Sequence, residues 1–170
     1  MEVEIKARVD SLEDVERRIS EIGGTFIREV VEEDVYYRHP CRDFSRTDEA
    51  LRIRNDSSLT YKGPKVDTDT KSREEHIIHF DSEEEMKKIL ESLGFKPVAV
   101  VRKRRRYYRI GDVIVSLDSV EELGNFVEVE CIGEYEKCRK RVLEVANILN
   151  LSDFERRSYL ELLLAHRGTT

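Results

Sequence analysis

The chain has 170 residues, of which 39% are charged and 39% hydrophobic, and its 36 Asp+Glu against 30 Lys+Arg give a net charge of -6. That length fits a single domain over residues 1–170 with a core of its own, and the interleaving of both charge signs with periodic apolar residues excludes disorder. No apolar run reaches the roughly 18 residues of a membrane span, no signal-peptide pattern opens the chain, and the acidic balance argues against nonspecific duplex binding.

Strands are predicted over Glu2–Val9, Thr25–Tyr37, Ala50–Arg54, Leu59–Lys62, Lys71–Phe80, Val98–Ile110, Val113–Leu117 and Phe126–Ile132. Asn55-Asp56-Ser57-Ser58 and Gly111-Asp112 read as hairpin turns, and Arg42–Asp48 and Gly63–Thr70 as polar loops. Amphipathic helices follow Asp10-Ser11 and Asp81-Ser82, a third runs from Tyr135 to Leu149, and a shorter one from Phe154 to Ala165. The first two helices belong to an internal echo. Asp10-Ser11, Gly23 and Tyr36-Tyr37-Arg38 recur as Asp81-Ser82, Gly94 and Tyr107-Tyr108-Arg109, at a constant offset of 71 (81 − 10; 107 − 36). The shared order of N-cap, helix, glycine C-cap and long strand points to a duplicated half-domain.

Cys41, Cys131 and Cys138 are odd in number and form no C-x-x-C pair, so neither zinc nor a disulfide framework is expected. Cys131 reads as a core thiol, and a reducing cytoplasm is the expected location. The absence of Gln and Trp beside abundant Glu, Lys and Arg matches heat-adapted proteins.

Strand phase carries the chemistry. Val3, Ile5, Ala7 and Val9 share one face of the first strand, and Glu2, Glu4, Lys6 and Arg8 the other. Arg52 and Arg54 oppose Leu51 and Ile53; Glu128 and Glu130 oppose Val127, Val129 and Cys131; Ser116 and Asp118 oppose Val115 and Leu117. Lys62 opposes Tyr61, Arg73 is in phase with Glu75, and Lys103 with Arg105. Every strand except the second offers a charged face. One such face is ordinary on a solvated sheet, but the apolar stripes of the helices need a sheet face to cover. The charged faces must then point inward. Burying them dry would cost several kcal/mol each, so a hydrated tunnel awaiting a charged ligand is the consistent arrangement. Bases neutralise an anion and carboxylates take a divalent cation, which describes a metal-polyphosphate site.

These residues resemble the CYTH, or triphosphate tunnel metalloenzyme, superfamily. Glu2-Val3-Glu4-Ile5-Lys6 matches its Glu-x-Glu-x-Lys signature. Ala50–Arg54, Tyr61–Pro64, Lys71–Glu75 and Lys103–Arg105 follow in the family's order. The segment Leu117–Glu130, reading LDSVEELGNFVEVE, and the stretch Asp34–Arg54 are similar to the branch containing class IV adenylyl cyclases. The resemblance implies an α+β fold: an eight-stranded antiparallel closed β-barrel, or tunnel, with helices packed outside and two pseudo-equivalent halves. Lys6, Arg52, Arg54, Lys62, Arg73, Lys103 and Arg105 would hold a triphosphate. Glu4, Glu128 and Glu130 would carry Mg²⁺ or Mn²⁺, with Glu2, Glu75 and Asp118 as ligands or groups orienting them. Lys6, Arg54, Lys103 and Asp118 are the expected catalytic groups.

Two reactions fit such a site: cyclisation of ATP to cyclic AMP and pyrophosphate, or hydrolysis of tripolyphosphate, a nucleoside triphosphate or thiamine triphosphate. A binding module without turnover is a third reading, although it would not need the carboxylates. Many family members dimerise, but no interface is readable. The basic run Arg102–Arg106 reads as alternating inner and outer residues rather than a nucleic-acid patch, and Tyr159 is placed by the resemblance at the tunnel's end.

Overall fold

The computed structural model describes residues 1–168, and two long strands form its spine. β2 (Thr25–Arg38) and β6 (Lys96–Ile110) run antiparallel along almost their whole lengths. The same local device leads into each. Ser11 caps α1 (Leu12–Glu21) by accepting the Asp14 amide, and Ser82 caps α3 (Glu83–Ser92) by accepting that of Glu85. Each hydroxyl satisfies a donor that the first helical turn leaves orphaned. Both helices end at left-handed glycines, Gly23 at φ 79° and Gly94 at φ 92°, where a side chain would be strained.

The short helix α2 (Phe44–Thr47) leads to β3 (Ala50–Arg54) and β4 (Ser58–Lys62), while β7 (Val113–Val120) and β8 (Gly124–Ile132) follow β6. The leading strand of each half pairs with the last strand of the other: β1 (Glu2–Arg8) with β8, and β5 (Glu75–His79) with β4. The sheet order is β5-β4-β3-β2-β6-β7-β8-β1-β9, the last being β9 (Asp153–Phe154). Exchanging β1–β4 with β5–β8 leaves the order of those eight unchanged. The two halves are therefore related by a pseudo-twofold axis. It passes between Glu32 and Lys103, which pair directly and lie 71 positions apart (103 − 32).

The sheet curls strongly but does not close into the expected eight-stranded barrel. Among the described residues its ends meet through the isolated Glu2↔Arg73 bridge and the Lys71 amide, which donates to the Glu4 carbonyl at 2.6 Å. The strand predicted over Lys71–Phe80 begins only at Glu75 because the preceding loop satisfies its own backbone. Val66 N–H donates to Ser72 O, and the Asp67 carboxylate accepts from the amides of Asp69 and Thr70. No strand is left to complete the ladder. The helix predicted over Phe154–Ala165 also starts late, as α5 (Tyr159–His166), where Ser158 and Glu161 form a capping box. Asp153 and Phe154 instead pair with the free edge of β1 at Arg8 and Ala7.

The outer face of β1, β7 and β8 is apolar, and α1 and α4 (Tyr135–Ile148) cover it. Val3, Val115, Val127, Val142 and Val145 are fully buried there. Leu90 of α3 packs against Tyr37, Leu51 and Ile53. Helix α5 differs, because it sits with Tyr36, Ala99, Val101, Val120 and Phe126. These share the phase of the inward charges, so α5 seals one end of the concave side.

Cys131 is not the core thiol expected of it: it is disulfide-bonded to Cys138 of α4. The reversal at Gly133 brings their Cα atoms to 5.3 Å, within bridging range. Cys41 is exposed and free. No described helix is long and apolar enough to cross a membrane. Mass spectrometry after alkylation should therefore count one modified cysteine before reduction and three after; three before reduction would contradict the bridge. Its short loop predicts that reduction costs about 2–3 kcal/mol in a denaturant titration.

Candidate active site

Helices cover the apolar side of the sheet, so the alternate residues of every long strand point into one cavity of about 1190 Å³. Eleven of the thirteen predicted site residues line it: Glu2, Glu4, Arg52, Arg54, Lys62, Arg73, Glu75, Lys103, Arg105, Glu128 and Glu130. Arg102, Arg104 and Arg106 face outward, where they meet Glu33, Glu29 and Glu16. The other two predicted residues, Lys6 and Asp118, share the inward phase but are buried against Tyr159 of α5 rather than lining the open cavity. Asp118 is fully buried and accepts from Arg105 Nε at 2.6 Å and from the Tyr159 hydroxyl. Lys6 donates to the Arg157 carbonyl and stands 4.1 Å from the centre of the Tyr159 ring.

Two carboxylates organise the basic groups. Asp34 is fully buried and accepts from Arg54 at 2.6 and 2.9 Å and from Lys103 at 3.3 Å, with Arg52 at 3.5 Å. Burial alone would raise its pKa, but Arg52, Lys103 and Arg54 hold it well below the usual carboxylate range. Asp118 and Glu128 grip Arg105 in the same manner, the latter at 2.7 Å. Against the effect of burial, Arg105 and Lys71 hold Glu128 well below its ordinary pKa. These contacts fix planar guanidinium forks before any ligand arrives. One donor is left over: Arg52 Nε is buried without a hydrogen-bond partner among the described residues. An orphaned cationic donor on a cavity wall suits an anion.

The opposite imbalance occurs at the start of β1. Ligand oxygens of Glu2, Glu4 and Glu130 lie within 4.8 Å of one another. Neither Glu2 nor Glu130 has an ion-pair partner among the described residues. Burial raises the pKa of Glu2 to about 10, with Lys62 opposing and Glu4 and Glu130 adding to it. Burial followed by Glu4 raises that of Glu130 to about 7, against the pull of Arg105. Three clustered carboxylates, of which Glu2 and Glu130 retain protons for want of compensation, form an oxygen set that a hard divalent cation fits, displacing those protons.

Glu32, Asp34, Lys71 and Tyr107 also belong to the site, although strand phase did not select them. β2 was the strand expected to lack a charged face, yet it turns Glu32 and Asp34 inward. Glu33 between them faces Arg102 outside, and register shifts at Phe26/Arg28 and Tyr36/Tyr37 move the phase along the strand. An unbroken acidic triplet in a bulged strand gives alternation nothing to detect. Lys71 sits in a loop, where period-two reasoning does not apply. The Tyr107 hydroxyl donates to Glu32 at 3.0 Å. Tyr159 is buried, lines the cavity, and its hydroxyl donates to Asp118.

The CYTH domain family matches residues 1–159. A Methanocaldococcus jannaschii protein provisionally named an adenylate cyclase is 41% identical over 171 residues, covering 95% of this chain and 98% of its own. Adenylate cyclase CyaB of Aeromonas hydrophila is 25% identical, covering 95% and 87%. Among solved structures, the PH1819 protein of Pyrococcus horikoshii superposes with a TM-score of 0.87 at 41% identity, covering 97% of this chain and 99% of that one. A Hippeastrum protein provisionally called an adenylyl cyclase, and described as having a dominant triphosphatase activity, shares the fold at a TM-score of 0.68 and 18% identity, covering 100% and 97%.

The crowded carboxylates have a consequence for stability. Glu130 holds its proton in the folded state up to about pH 7, whereas an ordinary glutamate releases it near 4.5. The folded protein thus binds more protons than the unfolded chain in that window, and stability falls as pH rises through it. Denaturant titrations in EDTA at pH 5 and pH 8 should show a smaller loss for Glu130→Gln than for the parent. Equal losses would mean that Glu130 is not crowded.

Proposed function

The chain belongs to the CYTH domain family, and from that premise we propose that it is a divalent-metal-dependent enzyme acting on a triphosphate, foremost an adenylyl cyclase that converts ATP to cyclic AMP and pyrophosphate. The observation that carries the reading is one cavity in which seven bases (Arg52, Arg54, Lys62, Lys71, Arg73, Lys103 and Arg105) stand beside the acidic cluster of Glu2, Glu4 and Glu130. A basic wall alone would suit an anion binder. The uncompensated carboxylates favour a metal-assisted reaction. The cavity volume exceeds that of most small-molecule sites, and Tyr36, Phe44, Pro97 and Val98 on its lining offer apolar surface for a nucleoside.

Glu2, Glu4 and Glu130 would hold Mg²⁺ or Mn²⁺, which when bound neutralises phosphate oxygens and charge developing on the leaving group. The chain's own task is positioning. Arg52 offers its orphaned Nε, and Lys103 and Arg54 stay where Asp34 fixes them, so their charges need little reorganisation as the reaction proceeds. In the cyclase reaction the ribose 3′ oxygen bonds to the α-phosphorus. The bond from that phosphorus to the bridging oxygen breaks, pyrophosphate leaves with the electron pair, and the hydroxyl proton passes to solvent. Lys6 and Asp118 are buried against Tyr159 on the cavity side, and Asp118 would act through Arg105 by holding its guanidinium. The competing reading is a triphosphatase, in which water attacks the terminal phosphorus. The activity described for the Hippeastrum protein keeps it open, because a cyclase name within this fold does not decide the reaction.

Incubation with ATP, tripolyphosphate or thiamine triphosphate, each with Mg²⁺ or Mn²⁺, separates these outcomes. Cyclic AMP with pyrophosphate marks the cyclase, and orthophosphate the hydrolase. Tight binding with no product under any condition would reject the enzyme. Arg52→Ala should weaken triphosphate binding by roughly ten- to a hundredfold, as expected for loss of a charge-assisted contact. Glu4→Gln should abolish turnover with the circular dichroism spectrum unchanged.

A further inference from the structure

We infer that Lys71 is a tethered counter-ion: its ammonium occupies the Glu4–Glu128 side of the acidic cluster and must be displaced when a divalent cation binds there. The inference rests on the metal-dependent reading of the cavity and adds a residue to it. Lys71 Nζ lies 2.5 Å from Glu4 Oε1 and 3.8 Å from Glu128 Oε1. Glu4 is also one of the three carboxylates whose oxygens gather within 4.8 Å. One carboxylate thus serves both partners, and an ammonium against it competes with a cation for the same negative charge.

The backbone that carries this ammonium is pinned. The Lys71 amide donates to the Glu4 carbonyl at 2.6 Å, and the neighbours Thr70 and Ser72 are buried. Further back in the loop, Asp67 accepts the Tyr135 hydroxyl at 2.8 Å, and its carbonyl accepts from Arg156 at 2.6 Å. The movable part is the four-carbon stem, which carries a compact charge with rotatable donors. Lys71 lines the cavity, so an ammonium released from Glu4 is already at the wall that faces an anionic ligand. Cation and triphosphate would then strengthen each other's binding through one side chain, with equal coupling in both directions.

Mn²⁺ binding to the full chain, followed by loss of the free-ion paramagnetic resonance signal without any triphosphate, tests this directly. Lys71→Met should bind Mn²⁺ about tenfold more tightly than the parent. Lys71→Arg, which keeps the charge, should stay within about threefold. Lys103→Met removes the same charge from the cavity, where it pairs with Asp34 instead, and should also change affinity by less than about threefold. If Lys71 were simply a phosphate ligand, Lys71→Met would leave Mn²⁺ affinity unchanged and weaken tripolyphosphate binding in EDTA. That result would overturn the counter-ion role while leaving the metal-dependent reading intact. No Mn²⁺ binding by any of the proteins would overturn both.

Discussion

Ionised side chains enclosed by a curled sheet are tolerable only where each has an opposite charge, a retained proton or a ligand, and this constraint shapes the rest of the molecule. Asp34 gathers Arg54, Lys103 and Arg52; Asp118 and Glu128 gather Arg105; Glu75 meets Lys62. At the start of β1 the compensation falls short, and Glu2 and Glu130 rise in pKa because burial and the neighbouring carboxylates outweigh Lys62 and Arg105. The balanced part is the wall that holds its shape unaided. The unbalanced part, together with the orphaned Arg52 Nε, is where an external cation and anion would have most to contribute.

The pseudo-twofold arrangement explains how such an interior is built from short pieces. Each half contributes a three-strand meander and lends its leading strand to the other half. Glu32 and Lys103 face each other across the axis as an acid and a base at equivalent positions. Asp34 and Arg105 are likewise equivalent (34 + 71), and each is the centre of its own ion-pair network. The local symmetry is that of the backbone, while the charges break it.

Much of this was legible from residue alternation. The inward set on β1, β3, β7 and β8 follows from period two and from the need of α1 and α4 for an apolar face. The inner and outer sorting of Arg102–Arg106 follows in the same way. Alternation is silent elsewhere. It has no purchase on the Glu32-Glu33-Asp34 run in a bulged strand, or on Lys71, whose position depends on hydrogen bonds made by Asp67, Thr70 and Ser72. It puts Lys6 on the inward face, but does not foresee that α5 and the segment before it cover that side chain with Tyr159 and the Arg157 carbonyl. The sheet stays a strongly curled half-barrel for a related reason: the loop before β5 satisfies much of its own backbone and reaches β1 through Lys71 and Arg73 instead of a strand ladder. The Cys131–Cys138 bridge depends on a chain reversal at Gly133 that cysteine spacing did not suggest.

The central claim is that the interior reaches charge balance only with a divalent cation and a triphosphate present together. Thermal midpoints measured with Mn²⁺ alone, ATP alone, both, and neither test it most directly. The account predicts that the two ligands together raise the midpoint by more than the sum of their separate effects. An additive rise, or none, after allowance for the Mn²⁺–ATP complex formed in solution, would contradict it.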